Sequence, residues 1–487
     1  MGTFRLALAA FIVLLSRGSA AAQWSEYTTE HFILDTDASD VADLMMETLE
    51  KARATDMAVL AGGELELAGH IRVIAPKSEE QFQEVAGNTW SAAFYVPGPR
   101  EEPIILAPVN AFFDSPENLP HELAHAVSHY LFPEQPRWYA EGLATFVQTI
   151  AQRQADTRPP NTGSHVVRAP PGAPISAVGA VPAGLGTLLR GPIVPAVKLL
   201  AWRAGDPEDP GPYYAGGWLI YHYLWNQRGK ELTAFQKRLL DGEGFDKAWL
   251  ASFTDLDRAN AAQMQALDAA LAQYVKSGKF VMVKVKSNPQ FKLIQRDVSR
   301  ADVRLWLLHL RDKWPDKQAK LAAWRAQMAK ARLEDPNNPE VLVALAELDD
   351  KLTPEVARAA AAGAAKDFRG WYLLAGVATD AKEKESALRK AAALGEECPA
   401  CNDHLAWLLA TSGRAKEALP FANRALDFAP WDASAVDTMA EVAAQLNQCP
   451  QALQLQARAA SMLLLHGGNP GQLEERQRDI QKRCPGK

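Results

Sequence analysis

The sequence predicts an α+β unit followed by an all-α helical repeat region. Three observations carry this. Short β-like runs alternate with helical patterns in the N-terminal part. From about Asp302 the texture turns to Ala- and Leu-rich helices with few strand signals. Within that second region Ala406, Gly413, Ala418 and Ala425 recur 34 residues later as Ala440, Asn447, Ala452 and Ala459. The chain has 487 residues, which at roughly 150 per domain allows about three domains. Hydrophobic residues make up 48% and charged residues 23%, so wholesale disorder is excluded. The formal net charge of −6 gives no reason to expect nucleic acid or an anionic membrane as a partner.

Residues 1–22 read as a secretory signal: Arg5, the apolar run Leu6–Leu15, then small residues from Ser19 to Ala22. Cleavage after Ala22 removes Arg5 and Arg17 and no acid, taking the net charge from −6 to −8. A periplasmic or secreted protein with no membrane span after signal cleavage is expected. The α+β unit is expected over 23–287. His31–Asp35, Ile71–Ala75, Ala92–Val96 and Ile104–Ala107 read as strands. Val41–Leu60 has helical spacing, and Ser78 with Gln81 opens another helix as a capping box does. Two helices follow, about Glu117–Leu131 and Pro136–Gln152. The stretch 158–195 is rich in Pro, Gly and Ala and reads as a long surface loop. Tyr213–Tyr274 is helical, Phe280–Val285 alternates like a strand, and Ser287-Asn-Pro marks a boundary. The helical repeat region is expected over 299–484.

The strongest chemical signal is His121-Glu122-Leu123-Ala124-His125. Residues four apart in a helix share a face, so both imidazoles can reach one tetrahedral zinc ion. Glu122 flanks them and can act as general base on a metal-bound water. Leu119, Leu123, Ala126, Val127 and Tyr130 form an apolar set at helical spacing, and Pro133 and Pro136 stop the helix. The next helix carries Trp138-Tyr-Ala-Glu141-Gly, and Glu141 is the natural third ligand. Three protein ligands leave a fourth position open, the arrangement of a catalytic site. His129 continues the row, but three consecutive turns span about 12 Å, too far for one ion. It is read as a non-ligand.

His-Glu-Leu-Ala-His followed by Arg-Trp-Tyr-Ala-Glu-Gly-Leu-Ala resembles the gluzincin zinc metallopeptidases, in particular peptidase-MA-like bacterial families. The likeness runs from about Tyr27 to Tyr274 and ends on the helix Tyr213-Tyr-Ala-Gly-Gly-Trp. It implies a zincin-like α+β fold, with His121, His125 and Glu141 binding Zn2+ and Glu122 as catalytic base. It makes Tyr214 a candidate to stabilise the oxyanion, with Tyr213 as its rival. The metzincin extension is absent, since Ser128 and Leu131 stand at its Gly and His positions. The acid that many gluzincins place one turn after the third ligand is here Thr145, so support for the ligands is expected elsewhere. The Ile104-Ile-Leu strand, if it lines the cleft, can pair with an extended peptide.

The 34-residue period, with small residues at helix contacts and Pro430 closing one unit, resembles the tetratricopeptide repeat. Such an array offers a surface for a peptide or protein partner, or a rigid support. Cys398, Cys401, Cys449 and Cys484 allow three pairings. Zinc and redox roles are weighed against two structural disulfides, Cys398–Cys401 and Cys449–Cys484, which export favours. The expected function is an exported zinc metallopeptidase acting on a peptide or protein. Its rivals are a zinc-binding interaction scaffold without turnover and a zinc hydrolase of a non-peptide substrate.

Overall fold

A computed structural model describes residues 24–62, 65–86, 92–98, 100–114, 117–150, 175–182, 184–203, 205, 207–286, 289–310, 317–349, 351–465 and 467–484. The expected signal and the first part of the expected loop, 158–174, lie outside the described residues. No helix among the described residues is long and apolar enough to cross a membrane.

The N-terminal part is built on a mixed sheet. Its strands are β1 (Ser25–Thr28), β2 (Phe32–Thr36), β3 (Ile71–Ala75), β4 (Phe94–Pro97), β5 (Pro103–Leu106) and β8 (Ile294–Asp297), in the order β4-β5-β3-β2-β1-β8. β2, β3 and β5 run parallel, while β4, β1 and β8 pair antiparallel. Alternate residues of the parallel strands point to opposite faces. Phe32, Leu34, Val73 and Ile105 pack towards α1 (Ala42–Ala61) and α3 (Asn118–Leu131). Ile74, Ile104 and Leu106 face Phe82 and Val85 of α2 (Glu79–Ala86) and Val303, Trp306 and Leu307 of α11 (Arg300–Leu310). The sheet is therefore covered on both sides, which explains the unbroken apolar run at Ile104–Leu106.

Two sequence expectations change here. The Ile104-Ile-Leu strand is interior, paired on one side with β3 and on the other with β4. It has no open edge for a peptide; among the described residues β4 is the edge strand on its side of the sheet and β8 is the other edge. The 175–195 part of the expected loop is not irregular throughout. It holds β6 (Ile175–Val178), paired with β7 (Val283–Lys286), and a single helical turn, α5 (Leu185–Leu188). The sheet also takes its last strand, β8, from the stretch between the two expected units.

After α4 (Arg137–Val147) come α6 (Ala196–Leu199), α7 (Gly211–Gln227), α8 (Gly229–Leu240), α9 (Phe245–Ser252) and α10 (Ala261–Ser277). α4 and α7 cross so closely that a Cβ on Gly142 would lie 2.3 Å from the Gly217 carbonyl oxygen. Only glycine permits that approach.

Among the described residues the C-terminal region is all helical: α12 (Lys317–Glu334), α13 (Pro339–Leu348), α14 (Pro354–Gly363), α15 (Phe368–Val377), α16 (Ala381–Leu394), α17 (Pro399–Thr411), α18 (Ala415–Phe428), α19 (Ala433–Gln445), α20 (Cys449–Leu465) and α21 (Gly471–Arg483). The 34-residue register has a physical counterpart. Ala406, Ala440, Ala418, Ala452, Ala425 and Ala459 are all fully buried where helices meet. Gly413 and Asn447 both turn the chain with positive φ, at 77° and 61°. Glycine and asparagine tolerate that region best. The cysteines pair as Cys398–Cys401 and Cys449–Cys484, both within these helices. Glu340 of α13 reaches Arg100 of the sheet unit, and Glu397 hydrogen-bonds His70 at 2.8 Å. The helical region is thus seated against the sheet unit.

Candidate metal centre

The site is made by α3 and α4. Apolar Leu119, Leu123, Ala124 and Val127 turn one side of α3 inwards, which leaves His121 and His125 together on the other. The chain reverses at Phe132–Pro136. α4 starts without a capping side chain, and its first amides, Arg137 and Trp138, donate to the carbonyls of Arg203 and Trp202. Trp138 is buried against Trp249 and Phe245, which anchors the start of the helix. Glu141 is carried one turn further in, at 1% exposure. Gly142 lets α4 sink onto α7 and so sets how deep Glu141 sits.

The three expected ligands converge. His121 Nε2 and His125 Nε2 are 3.1 Å apart, and Glu141 Oε2 lies 3.2 and 3.3 Å from them. Two ligands of a tetrahedral zinc at about 2.0–2.1 Å sit about 3.3 Å from each other. The triangle therefore has the size zinc requires. Glu141 Oε2 is buried without a hydrogen bond of good geometry, as expected of an atom shaped to ligate. Among the described residues these three form the one cluster of His, Cys, Asp and Glu able to hold a metal ion.

Charge supports the same use. Burial pushes the Glu141 carboxyl up, but His125 and His121 beside it outweigh burial and hold it well below the usual carboxylate range. Burial pulls the His121 imidazole down, yet Glu141, Glu122 and Gln148 turn the net shift upward. The Glu122 carboxyl is raised, mainly by burial, against the pull of His121 and His125. An ionised carboxylate beside two imidazoles is a donor set that suits zinc. A carboxyl with a raised pKa beside it suits proton transfer.

Three contacts around the site were not read from the sequence. His121 Nδ1 donates to Gln148 Oε1 at 2.7 Å, which leaves the Nε2 lone pair free to face the ligand triangle. Gln148 supplies the support that Thr145 cannot. It lies two turns after Glu141, so helical spacing alone would have put it on the right face. Arg137, one turn before Glu141, holds Oε1 at 2.9 Å. Tyr95 of the edge strand donates its backbone N–H to Glu122 Oε2 at 2.9 Å.

Tyr214 is tied to the centre through Arg137, which donates to its hydroxyl at 3.3 Å. Both Tyr213 and Tyr214 pack edge-on against Trp202. His129 stands outside the ligand triangle and hydrogen-bonds the Tyr95 hydroxyl at 3.2 Å. No known family profile and no curated protein matches this chain.

Proposed function

We propose that this chain is an exported zinc-dependent metallopeptidase of the gluzincin type. The observation that carries the reading is the triangle of His121, His125 and Glu141 at zinc-ligand spacing, with Glu122 alongside. A zinc ion held by these three residues would supply Lewis-acid polarisation and an acidified water. Glu122 takes the proton as the water oxygen adds to the amide carbonyl carbon. It then delivers that proton to the amine nitrogen as the C–N bond breaks. Arg137 and Gln148 keep Glu141 and His121 oriented. Tyr214, whose hydroxyl accepts from Arg137, is the residue assigned to donate to the oxyanion in this reading.

The free side of β4 borders Glu122, so an extended peptide paired with this edge would lie beside the base. The helical region is read as tetratricopeptide-like, on its 34-residue register and its paired turn residues Gly413 and Asn447. Two cystine pairs agree with an oxidising compartment.

The test is hydrolysis of a mixed peptide library by the zinc-loaded chain, with Glu122→Gln alongside. Glu122→Gln should keep its zinc and lose at least about 100-fold in kcat. Equal turnover by the two proteins would overturn the assignment.

A further inference from the structure

The corner between α18 and α19 carries Trp431, which is 4% exposed and lies against the metal-site helix. Its indole stacks on His129, with ring centroids 5.5 Å apart and planes 28° apart. Tyr130 meets the same indole edge-on at 5.7 Å, and its hydroxyl donates to the Asp427 carbonyl at that corner. His129 in turn hydrogen-bonds the Tyr95 hydroxyl at 3.2 Å and meets its ring edge-on. The backbone N–H of Tyr95 donates to Glu122 Oε2. A continuous contact therefore runs from the helical region to the base: Trp431, His129, Tyr95, Glu122.

β4 has four residues and, among the described residues, one strand neighbour, β5. A strand so short and paired on one side holds its place weakly by itself. Tyr95 is its second residue and is gripped at both ends, by Glu122 at the backbone and by His129 at the hydroxyl. His129 is itself held flat against Trp431. Such a stack of rigid rings, nearly free of rotamer entropy, fixes position better than long polar side chains would.

We propose that Trp431 is a positioning residue for the hydrolytic site: acting through His129 and Tyr95, the helical region sets the separation of edge strand and Glu122. This rests on the peptidase reading above. A displacement of about 1 Å at a reacting group can lower turnover by about 100-fold. The helical region is then a working part of the site and not only a support or a platform for partners.

The test uses the full zinc-loaded chain and four variants. Trp431→Ala should lower kcat by about 10- to 100-fold at unchanged zinc content, and Trp431→Phe should restore most of it. Tyr95→Phe keeps the ring and the backbone N–H but loses the hydroxyl, and should show the same defect without touching the helical region. The double variant Trp431→Ala/Tyr95→Phe should be no worse than the worse single, because both break one link. Amide hydrogen exchange at Tyr95 gives a second reading that needs no substrate. It should quicken by at least about tenfold in Trp431→Ala and in Tyr95→Phe, with β1 unchanged. Unchanged exchange at Tyr95 in both variants would overturn the proposal, as would normal kcat in an active enzyme. An inactive wild type with the exchange response present would instead overturn the peptidase reading and leave the link from Trp431 to the edge strand standing.

Discussion

Replacing Gly142 by alanine tests how the fold places Glu141. The added Cβ would lie 2.3 Å from the Gly217 carbonyl oxygen, where ordinary contact begins near 3.4 Å. The Cβ is fixed to the α4 backbone and the carbonyl oxygen belongs to the α7 backbone, so no side chain can swing away. α4 and α7 must part by about 1 Å, which places the strain near the upper end of the ~1–3 kcal/mol typical of overpacking. Alanine returns up to about 1 kcal/mol through its helix propensity. The net loss is about 2 kcal/mol, which lowers the melting temperature by about 4–8 °C. Because Glu141 adjoins Gly142, zinc affinity should also fall by at least about tenfold. Gly376 in α15 is the control, since a Cβ there meets nothing within 4 Å. Gly376→Ala should be neutral or stabilising by up to about 1 kcal/mol, with zinc affinity unchanged. Scanning calorimetry and chelator competition read both quantities. If Gly142→Ala behaved like Gly376→Ala in the two assays, the close crossing would not be what seats Glu141.

Two further outcomes are expected. Gln148→Ala should weaken zinc binding by about 10- to 100-fold in chelator competition, because His121 loses the acceptor that fixes its tautomer. His222 is fully buried, and burial lowers its pKa from 6.5 to about 4 against the hydrogen bond to Gly179. The unfolded chain then binds the proton more readily between those values. Its contribution is complete above pH 6.5 and falls by about 3 kcal/mol as pH drops to about 4, a slope that denaturant titrations should find missing in His222→Gln.

The motif residues were legible because their signal is local. A helix fixes the relation of His121 to His125 by spacing alone, and the Trp-x-x-Glu-Gly context pointed to Glu141. The parallel strands β2, β3 and β5 announced themselves by apolar runs, since both faces of the sheet are covered. β8 was missed because Ile294-Gln-Arg-Asp is exposed along its whole length, so no hydrophobic pattern marks it. β1, Ser25-Glu-Tyr-Thr, is buried but short and largely polar, so it too lacks a hydrophobic pattern. The sequence lets Ile104–Leu106 pair with an extended peptide, but strand order is a long-range property that apolarity cannot report. Real edges are often short and less apolar, as Phe94–Pro97 is. Trp431 lies over 300 positions from His129 and shares no motif with it, so only the fold joins them.

The 34-residue spacing is visible in the sequence because its two copies bury the same small residues, Ala406 with Ala440, Ala418 with Ala452 and Ala425 with Ala459. How the units sit on the sheet was not readable. That contact joins side chains scattered along the chain, such as Arg100 with Glu340, His70 with Glu397 and His129 with Trp431.

The proposed hydrolysis depends on one zinc ion held by His121, His125 and Glu141. X-ray absorption at the zinc K-edge of the purified chain tests this directly. One equivalent of zinc with only nitrogen and oxygen neighbours at about 2.0–2.1 Å, two of them imidazoles, is the predicted result. The Glu141→Gln protein should hold the ion more weakly, with a changed oxygen shell. Zinc bound through sulfur at about 2.3 Å, or no zinc retained by the wild-type chain, would rule out that ligand set.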